Sequence, residues 1–285
     1  MRTELMTFPA ADGWELDGLV YEPDGGGNGR AALLVHGKTM NFYTGPARIL
    51  PPYLIERGFS CLAMNRRGHD LGGIRDSRAS YGGAWERFGD SQLDIAAGVA
   101  ELHRRGQRSV ALIGHSFGGI AAAAYAADHP DEVAALGLCS AGSGGPDYLR
   151  QSSRRGMLAG ERHDEAAAEA RRLVQAGRGQ ELLSLQGWWY VITAESFVDL
   201  SENVPSTVEN ARRTTCPVLA LRGSEEPSDV YPAEAVAEAV GPRGRLVVLQ
   251  GSDHFYNGKQ AELAGAVCDW LARLPLSDSH RHGLH

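Results

Sequence analysis

Ser116 stands at the centre of Gly114-His-Ser-Phe-Gly118, a G-x-S-x-G pattern. A serine hydroxyl becomes a nucleophile only when a nearby base removes its proton, and that base needs a third group to hold its ring. The flanks of the pattern suit such chemistry. Residues 110–113 are an apolar run that reads as a buried strand, and the alanine-rich stretch 120–127 reads as a helix. A strand that reverses directly into a helix pushes its middle side chain above the sheet, and Gly114 and Gly118 keep the neighbouring backbone clear of that turn. The helix N-terminus beside Ser116 then offers free N–H groups to a developing negative charge.

In a parallel sheet the loops at the carboxyl ends of the strands converge on one edge, so the partners of Ser116 are expected just after later strands. Of ten histidines only His254 lies in a loop directly after a C-terminal strand, which makes it the candidate general base. His36 and His115 occupy tight turns beside the site and read as structural support. The acid is expected after the penultimate strand, where Glu225, Glu226 and Asp229 all lie. Glu226, third after Gly223 and directly before Pro227, is the first choice, with Asp229 second. These carboxylates would also suit the N-terminus of the helix that begins near Pro232. An oxyanion hole would combine the backbone N–H of Phe117 with that of Lys38, in the loop His36-Gly37-Lys38 after another apolar strand. The Lys38 side chain is expected to face solvent rather than an anionic substrate.

The elements that would carry these residues follow from the apolar pattern. Residues 5–8 and 14–21 flank Ala11-Asp12-Gly13 and predict an antiparallel hairpin. The alternation of Trp14, Leu16, Gly18 and Val20 with polar positions suggests an edge strand with one wet face. The glycine-rich loop 24–29 lacks the GK[ST] of a phosphate-binding loop. Strands are predicted at 31–35, 59–64, 133–139, 217–221 and 245–249. Helices are predicted at 46–57, interrupted at Pro51-Pro52, and at 85–105, 232–240 and 260–274. Strands alternating with helices at this spacing argue for an α/β fold, a mainly parallel sheet with helices on both faces. The alternation stops over residues 142–213, a helical stretch without strand patterning that reads as an inserted cap. The core is then 1–141 plus 214–275, followed by a polar tail at 276–285. Trp188 and Trp189 in the insert suit either packing of the cap on the body or an apolar substrate wall.

At 285 residues with net charge −7, the chain suits one large domain and recommends neither a nucleic acid nor an anionic membrane as partner. Its first residues, Met1-Arg-Thr-Glu-Leu-Met6, lack the apolar run of a secretion signal, and no stretch is long enough for a membrane span, so a cytoplasmic location is expected. Four widely spaced cysteines read as buried thiols rather than as disulfides or a zinc site. The tail histidines His280, His282 and His285 lack a rigid frame for a metal.

With Ser116, an acid and His254 in that chain order, the sequence resembles the α/β-hydrolase superfamily over nearly its whole length. The matching pieces are His36-Gly37, Gly114-His-Ser-Phe-Gly-Gly119, His129-Pro130, Arg222-Gly-Ser-Glu-Glu-Pro227 and Gly251-Ser-Asp-His254. The runs His36-Gly-Lys-Thr-Met-Asn-Phe-Tyr-Thr-Gly45 and Asn65-Arg-Arg-Gly-His-Asp70 look like a subgroup of serine esterase-like proteins that includes fungal esterases acting on siderophores and other secondary metabolites. The resemblance implies an eight-stranded, mostly parallel sheet, a hydrolase activity and no cofactor or metal. Glu226 departs from the Asp that most members carry. The expected reaction is hydrolysis of a small, apolar carboxylic ester through an acyl-enzyme, with Phe42, Trp188 and Trp189 as substrate-contacting candidates. Thioesterase, lactonase, acyltransferase or cyclase chemistry would use the same residues, as would a peptidase, and a non-catalytic ligand-binding protein on this fold is the rival of a different class. Serine at the elbow argues against dehalogenase or epoxide-hydrolase chemistry, where a carboxylate must form the alkyl-ester intermediate.

Overall fold

The computed structural model describes residues 1–154, 159–185 and 191–275. Trp188, Trp189 and the tail 276–285 therefore lie outside the described residues. Eight strands form the central sheet: β1 (Arg2–Pro9), β2 (Glu15–Glu22), β3 (Arg30–Val35), β4 (Ser60–Met64), β5 (Ser109–His115), β6 (Ala135–Cys139), β7 (Val218–Gly223) and β8 (Gly244–Leu249). Their order across the sheet is β1-β2-β4-β3-β5-β6-β7-β8. The ladders β1–β2 and β2–β4 are antiparallel and the rest are parallel. The strand expected at the edge, β2, is an inner one, and β1 is the edge instead. An alternating wet face marks exposure above and below the sheet, not the absence of a neighbour in its plane. Gly18 on β2 shows that neighbour: a Cβ there would come within 2.9 Å of Leu62 Cδ1 on β4.

The helices that flank the sheet explain why β3 to β7 read as nearly continuous apolar runs. On one face α1 (Gly45–Ile55) and α9 (Gln260–Ala272) bury Leu50, Leu54, Leu263, Val267 and Leu271 against Leu34, Ala63, Ile113 and Leu221. On the other, α2 (Phe88–Arg104), α3 (Phe117–Asp128) and α8 (Ala233–Val240) cover Leu33, Leu62, Leu112 and Leu136. Full burial of each such side chain contributes about 1.5–3 kcal/mol. The break expected at Pro51-Pro52 does not occur, since α1 runs straight through both prolines. An interior proline costs roughly 3 kcal/mol in a helix. Leu50 and Leu54, both fully buried on either side of the pair, supply burial of comparable size.

The segment between β6 and β7 carries α4 (Tyr148–Arg154), α5 (His163–Gln175), α6 (Ala194–Glu202) and α7 (Thr207–Arg213). It also holds a two-stranded pair, Leu182–Ser184 with Val191–Thr193, where no strand was expected. Strands of three residues are too short to show a period of two. The pair is tied to the body through Thr193 N–H, which donates to Ala84 O at 2.8 Å, and Thr193 Oγ1 caps α6 by accepting from Ser196 N–H at 3.1 Å. α7 packs on α3 and α8. Among the described residues no helix is long and apolar enough to cross a membrane.

Candidate active site

β5 turns into α3 through Ser116, whose backbone sits at φ 55°, ψ −122°. Such a conformation in a residue with a Cβ costs of order 1–3 kcal/mol and persists only where its surroundings hold it. Here the Ser116 N–H donates to Cys139 O at 3.1 Å, while the Ser116 carbonyl accepts from Gly119 N–H at 3.0 Å and Gly142 N–H at 3.3 Å. A Cβ at Gly114 would fall 2.4 Å from Gly118 O, and one at Gly118 only 2.3 Å from His36 O. Both glycines are therefore required by close backbone contact. Phe117 opens α3, so its N–H is one of the helix's first amides, which have no intrahelical acceptor.

His254 lies in the loop after β8, and Glu226 in the loop after β7. Its Nδ1–H donates to Glu226 Oε1 at 2.6 Å. Glu226 is buried, while its alternatives Glu225 and Asp229 are exposed. The second carboxylate oxygen, Oε2, accepts from Gly223 N–H and from Ser140 Oγ, both at 2.6 Å. The Tyr256 hydroxyl lies 2.6 Å from that same Ser140 Oγ. Since the Ser140 proton is directed to the carboxylate, Tyr256 is the donor to Ser140. Burial raises the Tyr256 phenol well above its ordinary range, so it stays protonated for this role. Ser140 and Tyr256 escaped the sequence reading, although Ser140 directly follows β6 on the edge where such loops converge.

Two buried histidines brace the loops. The His115 Nε2–H donates to the His254 carbonyl at 2.9 Å, and its Nδ1 has no partner among the described residues. Burial, with His254 beside it, lowers the His115 pKa to about 3, so the ring is neutral. His36 accepts the Arg66 backbone N–H on Nε2 at 3.0 Å and donates from Nδ1 to Gly37 O at 2.7 Å. Burial and the Arg66 charge hold it well below the usual histidine range.

The loop after β3 passes against the elbow, since a Cβ on Gly37 would lie 2.9 Å from Ser116 Cβ. Ser116, His254 and Lys38 line one cavity of about 80 Å³ together with Tyr148, Tyr231 and Phe255. Among the described residues no hydrogen bond joins Ser116 Oγ to the His254 ring; the two meet as walls of that cavity. A bond of this kind often tightens only around a substrate. The Lys38 side chain does not face solvent as expected. Its Nζ is buried and donates to Gly83 O at 2.7 Å and Glu86 Oε2 at 2.9 Å, because a buried ammonium needs both a counter-charge and acceptors. Phe42 is also placed differently from its expected role. It packs half-buried with the α1–α9 core, edge-on to Tyr43, and is not among the residues lining the cavity. A larger cleft of about 540 Å³ opens at the opposite end of the sheet beside Gly25, Arg105 and Arg108, away from Ser116 and His254.

Known proteins repeat this architecture. Est1E from Butyrivibrio proteoclasticus, in a structure with ferulic acid bound, superposes with a TM-score of 0.71 at 19% identity, covering 94% of this chain and 98% of that one. The alpha/beta hydrolase GrgF from Penicillium sp. sh18 gives 0.72 at 17% identity, covering 96% and 99%. A non-heme haloperoxidase from Rhodococcus erythropolis is 33% identical over 103 residues, which is 36% of this chain and 33% of that protein. The chain thus matches about a third of the length of that curated relative. Residues 32–266, from β3 into α9 and including every residue of the Ser116 cavity, match the model of the alpha/beta hydrolase family, and the chain belongs to that family.

Proposed function

We propose that the protein hydrolyses a carboxylic ester of a small molecule through a Ser116 acyl-enzyme. The observation that carries this reading is that His254, held by buried Glu226 at 2.6 Å, lines the same cavity as Ser116. His254 Nε2 takes the Oγ proton as Ser116 adds to the ester carbonyl, and Glu226 steadies the resulting imidazolium. The oxyanion falls to the N–H groups of Phe117 and Lys38, donors worth roughly 2.7–4 kcal/mol each by deletion. Collapse of the tetrahedral adduct expels the alcohol, which leaves with the proton from His254. Water, deprotonated by the same ring, then releases the acid and restores the serine.

The insert acts as a cap, since α4 supplies Tyr148 and Ser152 to the cavity wall. With Tyr231 and Phe255 opposite, the wall offers aromatic surface to an acyl or alkoxy group, in keeping with the ferulic acid bound by Est1E. The test is turnover of short and aryl p-nitrophenyl esters by wild type, Ser116→Ala and His254→Ala. Both variants are expected to lose at least about 10³-fold in kcat. Wild-type turnover by Ser116→Ala would refute the mechanism.

A further inference from the structure

The hydrolytic steps above leave one buried ionic cluster without a part. Arg66 is fully buried, and its guanidinium donates to Glu86 and, at 2.8 Å, to Ser91 Oγ. The other edge of the same guanidinium reaches the His36 carbonyl at 3.2 Å and the Gly37 carbonyl at 3.4 Å. Glu86 also accepts from Lys38 Nζ at 2.9 Å, so two cations share one buried carboxylate. Burial alone would raise the Glu86 carboxyl, but Arg66 and Lys38 hold it below its ordinary range and ionised.

Desolvating three charges is costly, and apolar residues of similar volume often replace such clusters without loss of stability. What sets this cluster apart is where its hydrogen bonds end. A trans peptide holds its C=O and N–H on opposite sides, and the chain has no cis peptide bond among the described residues. The Gly37 carbonyl is pinned by His36 Nδ1 at 2.7 Å and by Arg66. The Lys38 N–H of that same peptide therefore faces away from them, and Lys38 lines the cavity together with Ser116. The other oxyanion donor is tied to the same charges. The Phe117 ring has Arg66 Cζ 5.5 Å and Lys38 Nζ 5.7 Å from its centroid, both within cation–π range.

We propose that the Lys38–Glu86–Arg66 triad is the positioning device of the oxyanion hole. It locks the Gly37–Lys38 peptide and the Phe117 residue to one buried carboxylate, so that both N–H donors are set before substrate arrives. The inference rests on the serine-hydrolase reading of Ser116. None of the three side chains touches the reacting atoms; they act through the two backbone donors.

Two variants leave Glu86 with a buried cation as partner. Arg66→Lys preserves the charge but loses the planar fork that spans Glu86, Ser91 and two carbonyls. Lys38→Met keeps the backbone donor and leaves Glu86 paired with Arg66 alone. Activity is read per active site, titrated with a fluorophosphonate. Arg66→Lys is expected to lower kcat roughly 10- to 100-fold, short of the 10²–10³ lost when a donor is removed outright, with KM within about two-fold. Lys38→Met is expected to lose less, in the same pattern. A trifluoromethyl ketone, which adds to Ser116 as a tetrahedral oxyanion, should bind more weakly in proportion to the lost kcat/KM, while the matching unreactive amide keeps its affinity. A purely structural role would lower the melting temperature and the titrated fraction but leave kcat per site and the ketone-to-amide ratio unchanged, and that result in either folded variant would overturn the proposal. Ser116→Ala separates the two levels. If it is inactive while both triad variants behave as wild type, the positioning role fails and the serine reading stands; if it retains turnover, both fail.

Discussion

At Glu226 the chain carries a glutamate where a shorter carboxylate would serve, and the structure shows what the extra methylene requires. One oxygen meets His254, and the other is held by the Gly223 N–H and by Ser140, itself backed by Tyr256. Hydrogen bonds to a charged group contribute about 1.5–3 kcal/mol. Ser140→Ala is therefore expected to lower kcat/KM about ten-fold, and Tyr256→Phe to have a smaller effect through Ser140, both measured on p-nitrophenyl acetate. Equal activity in Ser140→Ala and wild type would show that the second oxygen needs no side-chain support. Glu226→Ala should cost roughly 10²–10⁴-fold, whereas Glu225→Gln, at an exposed neighbour, should leave kcat within about two-fold. Ser116, His254 and Glu226 were singled out as residues placed after successive strands, and the fold brings Glu226 to His254 and His254 to the cavity of Ser116. Ser140 and Tyr256 were not, because a serine and a tyrosine acquire this role only from the three-dimensional approach of two loops.

Among the elements, the strand–elbow–helix unit has the least freedom. A Cβ at Gly118 would stand 2.3 Å from His36 O and 2.7 Å from Val35 O, both backbone atoms of β3 and its loop. No rotamer change relieves that contact. Gly118→Ala is expected to destabilise the fold by about 3 kcal/mol or more, read as a lower urea midpoint; an unchanged midpoint would mean that the loop after β3 can yield. Strands β3 to β6 were readable because burial on both faces leaves a plain apolar run. The path of α1 through Pro51-Pro52 was not, since local propensity argues for a break while the burial of Leu50 and Leu54 becomes visible only with the sheet in place. The short pair at Leu182–Ser184 and Val191–Thr193 escaped for a related reason: its position rests on the Thr193 bond to Ala84 rather than on any repeat in its own residues.

At the scale of the whole molecule, two buried histidines, His36 and His115, are kept neutral by the native state. An unfolded histidine titrates near about 6.5, while burial lowers His115 to about 3 and sets His36 well below its ordinary value. Below about 6.5 the unfolded chain takes up protons that the folded chain refuses. The stability due to these two residues is thus fully present above that pH and is lost as the pH falls toward 3. The loss between pH 6 and pH 5 should be about 1 kcal/mol from His115, with His36 adding to it in the same direction, measured by urea denaturation. A flat profile over that range would show that the two rings are protonated in the folded protein. The fold class follows from the alternation of strands and helices along the chain. The size of the cavity and the burial of Lys38 depend on how distant loops pack, which no periodicity records.

The central claim is that Ser116 is the residue acylated. Its most direct test is labelling of the folded protein with a fluorophosphonate, followed by peptide mass mapping. One equivalent on Ser116, with labelling strongly slowed by His254→Ala, is the expected result. A label on another residue, or ester turnover that survives while Ser116 stays unlabelled, would contradict the account.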